Sequence, residues 1–226
     1  MSDASEPLLE CVELQTQTAP GASIVWLHGL GADGFDFVPL VRELQALGAP
    51  AARYVFPHAP ERAVTINGGH VMRAWFDILT PQIGWREDAA GMRQSQTQVQ
   101  ALIEREVERG TPRSRIVLAG FSQGGAITLQ AGVRQREPLA ALVVLSAYLP
   151  LASEAAAQIT PAGRTTPIFM AHGRDDTVVP IGPARASRDA LIGLGCSVQW
   201  HEYAIPHSVS EEELRELARF LGEALK

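Results

Sequence analysis

The chain has 226 residues, enough for one domain that buries most of the surface its unfolded form exposes. A hydrophobic fraction of 46% with 19% charged residues excludes a disordered or fibrous chain. The net charge is -6 and there is no dense run of Lys or Arg, which argues against nucleic acid or an anionic membrane surface as the main partner.

Met1–Glu10 carries acids and lacks both a basic n-region and an apolar h-region, so no secretory signal is expected and the expected location is the cytoplasm. A strand is predicted over Leu9–Leu14, followed by one over Ser23–His28. The latter runs into the glycine-rich turn Gly29-Leu30-Gly31 and a helix predicted over Asp36–Leu47. The strand Arg53–Phe56 leads to Pro57–Glu87, a long segment without regular pattern that holds Trp75, Phe76 and Trp85. Long irregular segments inside compact domains are usually functional or disordered, and the aromatic residues favour function. The helix Asp88–Arg109 repeats apolar residues at Val99, Leu102, Ile103 and Val107.

Two nearly all-apolar strands, Arg115–Gly120 and Ala140–Ser146, flank a helix over Gln123–Gln135. Runs such as Ile116-Val117-Leu118-Ala119 suit strands covered on both faces. The strand Pro167–Ala171, helix Ile181–Leu194, strand Ser197–Tyr203 and helix Glu211–Leu225 complete the chain, and Ser210 with Glu213 forms a capping-box signature before the last helix. This alternation predicts a single α/β domain over residues 1–226, with a mostly parallel sheet flanked by helices. The longest apolar stretch, Ala140–Ala152, contains Ser146 and Pro150 and is too short to span a bilayer. Cys11 and Cys196 stand far apart without a CxxC pair, which predicts two reduced thiols and neither a disulfide framework nor a zinc site.

Gly120-Phe121-Ser122-Gln123-Gly124 matches G-x-S-x-G at the junction where a strand ends and a helix begins, the context of a nucleophile elbow. The serine must sit in a strained turn, and the flanking glycines let strand and helix approach. Such a nucleophile needs a general base and an orienting acid, which follow on later loops in the order acid, then histidine. Of the six histidines, His207 alone lies between the last strand and the last helix. Gly173-Arg174-Asp175-Asp176 offers two acids after the preceding strand; the spacing from Gly173 favours Asp176 and leaves Asp175 as a solvated or turn-capping residue. An oxyanion needs two donors. The Gln123 amide, opening the helix, is one candidate, and the Leu30 amide in the early glycine turn is the other.

Gly29-Leu30-Gly31-Ala32-Asp33-Gly34 is also a literal G-x-G-x-x-G, the dinucleotide fingerprint. A cofactor site of that kind needs an acid ending the next strand, yet no Asp or Glu falls between Leu44 and Pro60. No organic cofactor and no metal are expected. A binding-only use of the fold is disfavoured by the intact serine, acid and histidine.

Across almost its whole length the chain resembles the phospholipase/carboxylesterase group of small α/β-hydrolases, which includes carboxylesterases and acyl-protein thioesterases. The resemblance is carried by Leu27-His-Gly-Leu-Gly31, Phe56-Pro-His-Ala-Pro60, Val64-Thr-Ile-Asn67, Trp75-Phe-Asp77, Gly120-Phe-Ser-Gln-Gly-Gly125, Gly173–Pro180 and His207-Ser208. It is nearest to the bacterial esterases, through Thr65-Ile-Asn-Gly-Gly69. It implies the α/β-hydrolase fold, Ser122, Asp176 and His207 as the triad, and Leu30 and Gln123 as the oxyanion donors. Met72-Arg73-Ala74 departs from the proline and serine that relatives tend to carry before the tryptophan.

Only about twenty residues separate Ser146 from Pro167, too few for a cap domain. A shallow site is therefore expected, walled by the 57–87 segment with Leu30, Ile66, Trp75, Phe76 and Val179 as substrate contacts. Trp75 and Phe76 are equally readable as core beneath that segment. Such a groove suits short or medium acyl esters, a lipidated cysteine or a lysophospholipid. Relatives of this kind often pair as dimers, but no residue read here marks an interface.

Overall fold

Strands that are apolar on both faces need cover on both faces, and the topology supplies it. The computed structural model describes residues 8–226, so the expectation about a leader, which rests on Met1–Glu10, falls mostly outside the described residues. In chain order come β1 (Cys11–Gln15), β2 (Ser23–Leu27), α1 (Val38–Ala46), β3 (Arg53–Pro57), β4 (Glu61–Val64) and β5 (His70–Arg73). Next are α2 (Ala89–Glu108), β6 (Ile116–Phe121), α3 (Gln123–Gly132), β7 (Ala141–Leu145), α4 (Ala152–Gln158) and α5 (Pro161–Thr165). The chain ends with β8 (Ile168–Gly173), α6 (Ile181–Gly193), β9 (Val198–Tyr203) and α7 (Glu211–Ala224).

Seven strands form one sheet in the order β1-β3-β2-β6-β7-β8-β9, antiparallel only between β1 and β3. Residues alternate between two cores, as the period of two in a strand requires. Val25, Leu118, Val144 and Met170 join the core beneath α2, α3 and α6, whereas Ile24, Val117, Val143 and Phe169 join the one beneath α1 and α7. From β2 the chain steps outward to β3, and from β6 it steps the other way to β7. The sheet therefore switches direction between β2 and β6, and a crevice opens beyond their carboxyl ends, where open α/β sheets bind ligands. This is an α/β-hydrolase-type fold.

Two stretches differ from expectation. The 57–87 segment contains the β4–β5 hairpin, paired from Glu61↔Arg73 to Val64↔His70 and turned through Gly68 and Gly69 at φ +68° and +80°. Its strands are four residues long and largely outside the core, so no periodic apolar pattern announced them. The interval after β7 holds the short helices α4 and α5, the second capped by the Thr160 hydroxyl. Among the described residues no helix is long and apolar enough to cross a membrane.

The capping box before α7 has a cost. Glu213 Oε2 accepts from the Ser210 N–H at 3.3 Å, but the residue is buried and Oε1 has no partner among the described residues. Burial raises its pKa to about 7, against the opposing pull of the Ser210 N–H bond. Because the folded value lies above the unfolded one, stability is lost as pH rises from about 4.5 through 7. In Glu213→Gln that loss should disappear. The difference in unfolding free energy between wild type and variant should move by about 3 kcal/mol between pH 4 and pH 8 in favour of the variant, measured by urea titration.

Candidate active site

The crevice at the switch point is where β6 meets α3, and the backbone there is strained as the glycines foretell. Ser122 has φ +56° and ψ -121°, a conformation that side chains rarely adopt. A Cβ on Gly120 would lie 2.4 Å from the Gly124 backbone, and one on Gly124 would lie 2.3 Å from the Leu27 carbonyl oxygen. The glycines are required by close backbone approach, and the result is a half-buried hydroxyl raised over the carboxyl end of the sheet.

His207 meets that hydroxyl. Its Nε2 stands 2.9 Å from Ser122 Oγ and its Nδ1 stands 2.6 Å from Asp176 Oδ2. In the neutral ring this geometry assigns the proton to Nδ1, donated to the carboxylate, and leaves Nε2 to accept from the serine. Asp176 is buried, and its Oδ1 accepts from the Val178 and Val179 N–H groups at 2.9 and 2.8 Å. Asp175 is exposed and takes no part. The two loops are zipped together: Arg174 N–H donates to the Tyr203 carbonyl and Asp175 N–H to the Ile205 carbonyl. Gly173 makes this approach feasible, since a Cβ there would lie 2.3 Å from Ile205 O.

Two neighbours escaped the sequence reading. The Phe121 ring packs against His207, with centroids 4.6 Å apart and the planes tilted by 43°. His172 is buried, and desolvation lowers its pKa, which favours the neutral ring. Its Nε2–H donates to the Val179 carbonyl at 2.8 Å, while Asp176 Oδ2 is 3.5 Å away, so that oxygen serves His207.

The loop after β2 faces Ser122. His28 is buried and desolvation lowers its pKa; its Nδ1 bonds the Gly29 carbonyl at 2.7 Å and its Nε2 accepts from the Ala59 N–H at 3.0 Å. Farther along, Gly34 N–H donates to His58 Nδ1 at 3.1 Å. The last glycine of the G-x-G-x-x-G run has a packing reason: a Cβ on Gly34 would lie 2.5 Å from Phe56 O. The departure at Met72-Arg73-Ala74 fits the same scaffold, with the Arg73 guanidinium donating to the Ala59 carbonyl at 2.9 Å. The backbone N–H groups of Leu30 and Gln123 have no hydrogen-bond partner among the described residues, and both residues line the cleft beside Ser122.

That cleft encloses about 270 Å³ and runs from Ser122 beneath the 76–87 loop. Ile66, Phe76 and Val179 line it, together with Ile78, Leu79 and Tyr148, which the sequence reading did not single out. Trp75 does not line it. Its side chain is wholly buried, with the indole N–H donating to the His28 carbonyl at 2.9 Å. The expectation that Trp75 touches the acyl group is corrected: a polar indole edge found a backbone partner in the core.

A phospholipase/carboxylesterase family model matches residues 10–225. The chain is 32% identical to acyl-protein thioesterase 1 of Yarrowia lipolytica, over 97% of this chain and 99% of that protein. It is 36% identical to a probable carboxylesterase of Oryza sativa, over 90% of this chain and 77% of that one. The crystal structure of acyl-protein thioesterase 2 of Zea mays superposes with a TM-score of 0.85 at 28% identity, covering 96% of this chain and 99% of that one.

Proposed function

Since the chain belongs to the phospholipase/carboxylesterase family and is a serine ester hydrolase, we propose that it cleaves carboxylic esters or thioesters through an acyl-enzyme on Ser122. The observation that carries this reading is the unbroken relay from Ser122 Oγ through His207 to Asp176, at 2.9 and 2.6 Å. His207 Nε2 takes the serine proton as Oγ attacks the carbonyl carbon. Charge then develops on the carbonyl oxygen, which the Leu30 N–H in the loop after β2 and the Gln123 N–H at the start of α3 receive. The intermediate collapses, and the imidazolium protonates the departing alkoxide or thiolate. Water, deprotonated by the same nitrogen, attacks the acyl-enzyme and releases the acid. Asp176 holds Nδ1 protonated throughout and stabilises the imidazolium.

The acyl group is assigned to the cleft under the 76–87 loop. Its lining is mostly apolar, with Leu30, Ile66, Phe76 and Val179 near the serine, which suits an alkyl chain. The relatives' names, acyl-protein thioesterase and carboxylesterase, agree with an acyl group carried on oxygen or sulfur. A lysophospholipid would present the same acyl ester. A p-nitrophenyl ester series from acetate to palmitate tests the assignment. With about 270 Å³ available under the loop, kcat/KM should peak at medium length and fall by palmitate. A monotonic rise to palmitate would place the chain outside this cleft.

A further inference from the structure

Residues 73–76 touch both sides of the site. Toward the loop after β2, the Arg73 carbonyl accepts from the Gly31 N–H at 2.9 Å, and the Trp75 indole N–H donates to the His28 carbonyl at 2.9 Å. Toward α3, the Gln123 side chain grips the backbone of two successive residues: Oε1 accepts from the Trp75 N–H at 2.7 Å and Nε2 donates to the Phe76 carbonyl at 2.7 Å. From α2, the Ser95 hydroxyl donates to the Trp75 carbonyl. His28, Trp75, Phe76, Ser95 and Gln123 are all buried. Among the described residues, no hydrogen bond joins 29–31 directly to 122–125.

We infer that residues 73–76 form a strut that sets the spacing between the Leu30 and Gln123 amides, with the Gln123 side chain and Trp75 as its two positioning residues. This deepens the reading under which those amides form the oxyanion hole, and rests on it. Oxyanion stabilisation depends on where the donors stand when charge develops, so a donor displaced by a fraction of an ångström lowers kcat and leaves KM nearly alone. The same strut presents Phe76 to the cleft, so the acyl wall and the oxyanion donors are held in one register. Buried peptide groups at Trp75 and Phe76 would otherwise lack partners, which explains why the polar side chain of Gln123 is buried at the start of a helix.

The test uses the full chain with p-nitrophenyl acetate, whose acyl group barely enters the cleft. Gln123→Leu removes both grips and should lower kcat about 100-fold, with KM within about threefold. Trp75→Phe removes the indole donor together with part of a wholly buried ring, and should lower kcat about tenfold with KM within about threefold. In Gln123→Glu the protonated carboxyl can accept from Trp75 and donate to Phe76; the carboxylate cannot donate. Its kcat relative to wild type should therefore fall by tenfold or more as pH rises, with the His207 titration cancelling in the ratio. A through-space effect of the introduced carboxylate on His207 would have the opposite sign, depressing the acid end by favouring the imidazolium. A flat ratio, or a Gln123→Leu enzyme within threefold of wild-type kcat, would overturn the strut. If Gln123→Leu fails to fold, the pH profile of Gln123→Glu decides. Retained turnover in Ser122→Ala would instead sink the underlying reading.

Discussion

Replacing Ser122 with alanine should lower ester turnover by roughly 10⁴- to 10⁶-fold while the protein stays folded. The variant loses only Oγ, the atom 2.9 Å from His207 Nε2, and no apolar group is removed from either core. The Leu30 and Gln123 amides and the cleft remain, so some rate above that of water should persist. Unfolding free energy should change by no more than about 1 kcal/mol, the value of one partly exposed hydrogen bond. Steady-state hydrolysis of a p-nitrophenyl ester, beside a urea melt, checks both halves. Turnover within tenfold of wild type would move the nucleophile elsewhere.

Asp176→Asn should cost about 10⁴-fold in kcat, whereas Asp175→Asn should leave it roughly unchanged. The difference follows from which oxygen does what. Oδ1 of residue 176 must remain an oxygen, because two backbone N–H groups, from Val178 and Val179, point at it. An asparagine there is forced to turn its NH₂ toward His207 Nδ1. That nitrogen must then accept, the ring proton moves to Nε2, and the base that faces Ser122 is gone. Asp175 is exposed, and only its backbone N–H is used, by Ile205. Kinetics of the two variants at one pH suffice; a crippled Asp175→Asn with an active Asp176→Asn would reverse the assignment.

Much of this was legible in the residues because the physics is local. The five inner strands, β3, β2, β6, β7 and β8, show as apolar runs because alternate residues feed two cores, and the glycines around Ser122 show because backbone atoms approach within 2.3–2.4 Å of where a Cβ would stand. The order of acid and histidine along the chain reflects which strand ends border the crevice. Other features are long-range and leave no local trace. The Gln123 grip on Trp75 and Phe76 spans 47 residues or more, so Trp75 was as readable for a substrate contact as for core. The β4–β5 hairpin has four-residue strands set apart from the main sheet, and α4 and α5 run seven and five residues, too short for a 3.6-residue period to declare itself. His172 lies near the end of β8, and its role, holding the Val179 carbonyl beside Asp176, exists only after the turn folds back.

The most direct test of the central claim is covalent. Incubation with a fluorophosphonate, which phosphonylates an activated serine hydroxyl and expels fluoride, should add one group per chain, in parallel with the loss of ester turnover. Peptide mass spectrometry should place it on Ser122, with labelling far slower in His207→Ala, where the base is missing. Full activity after exhaustive treatment, or modification at another residue that tracks the loss of activity, would contradict an acyl-enzyme on Ser122.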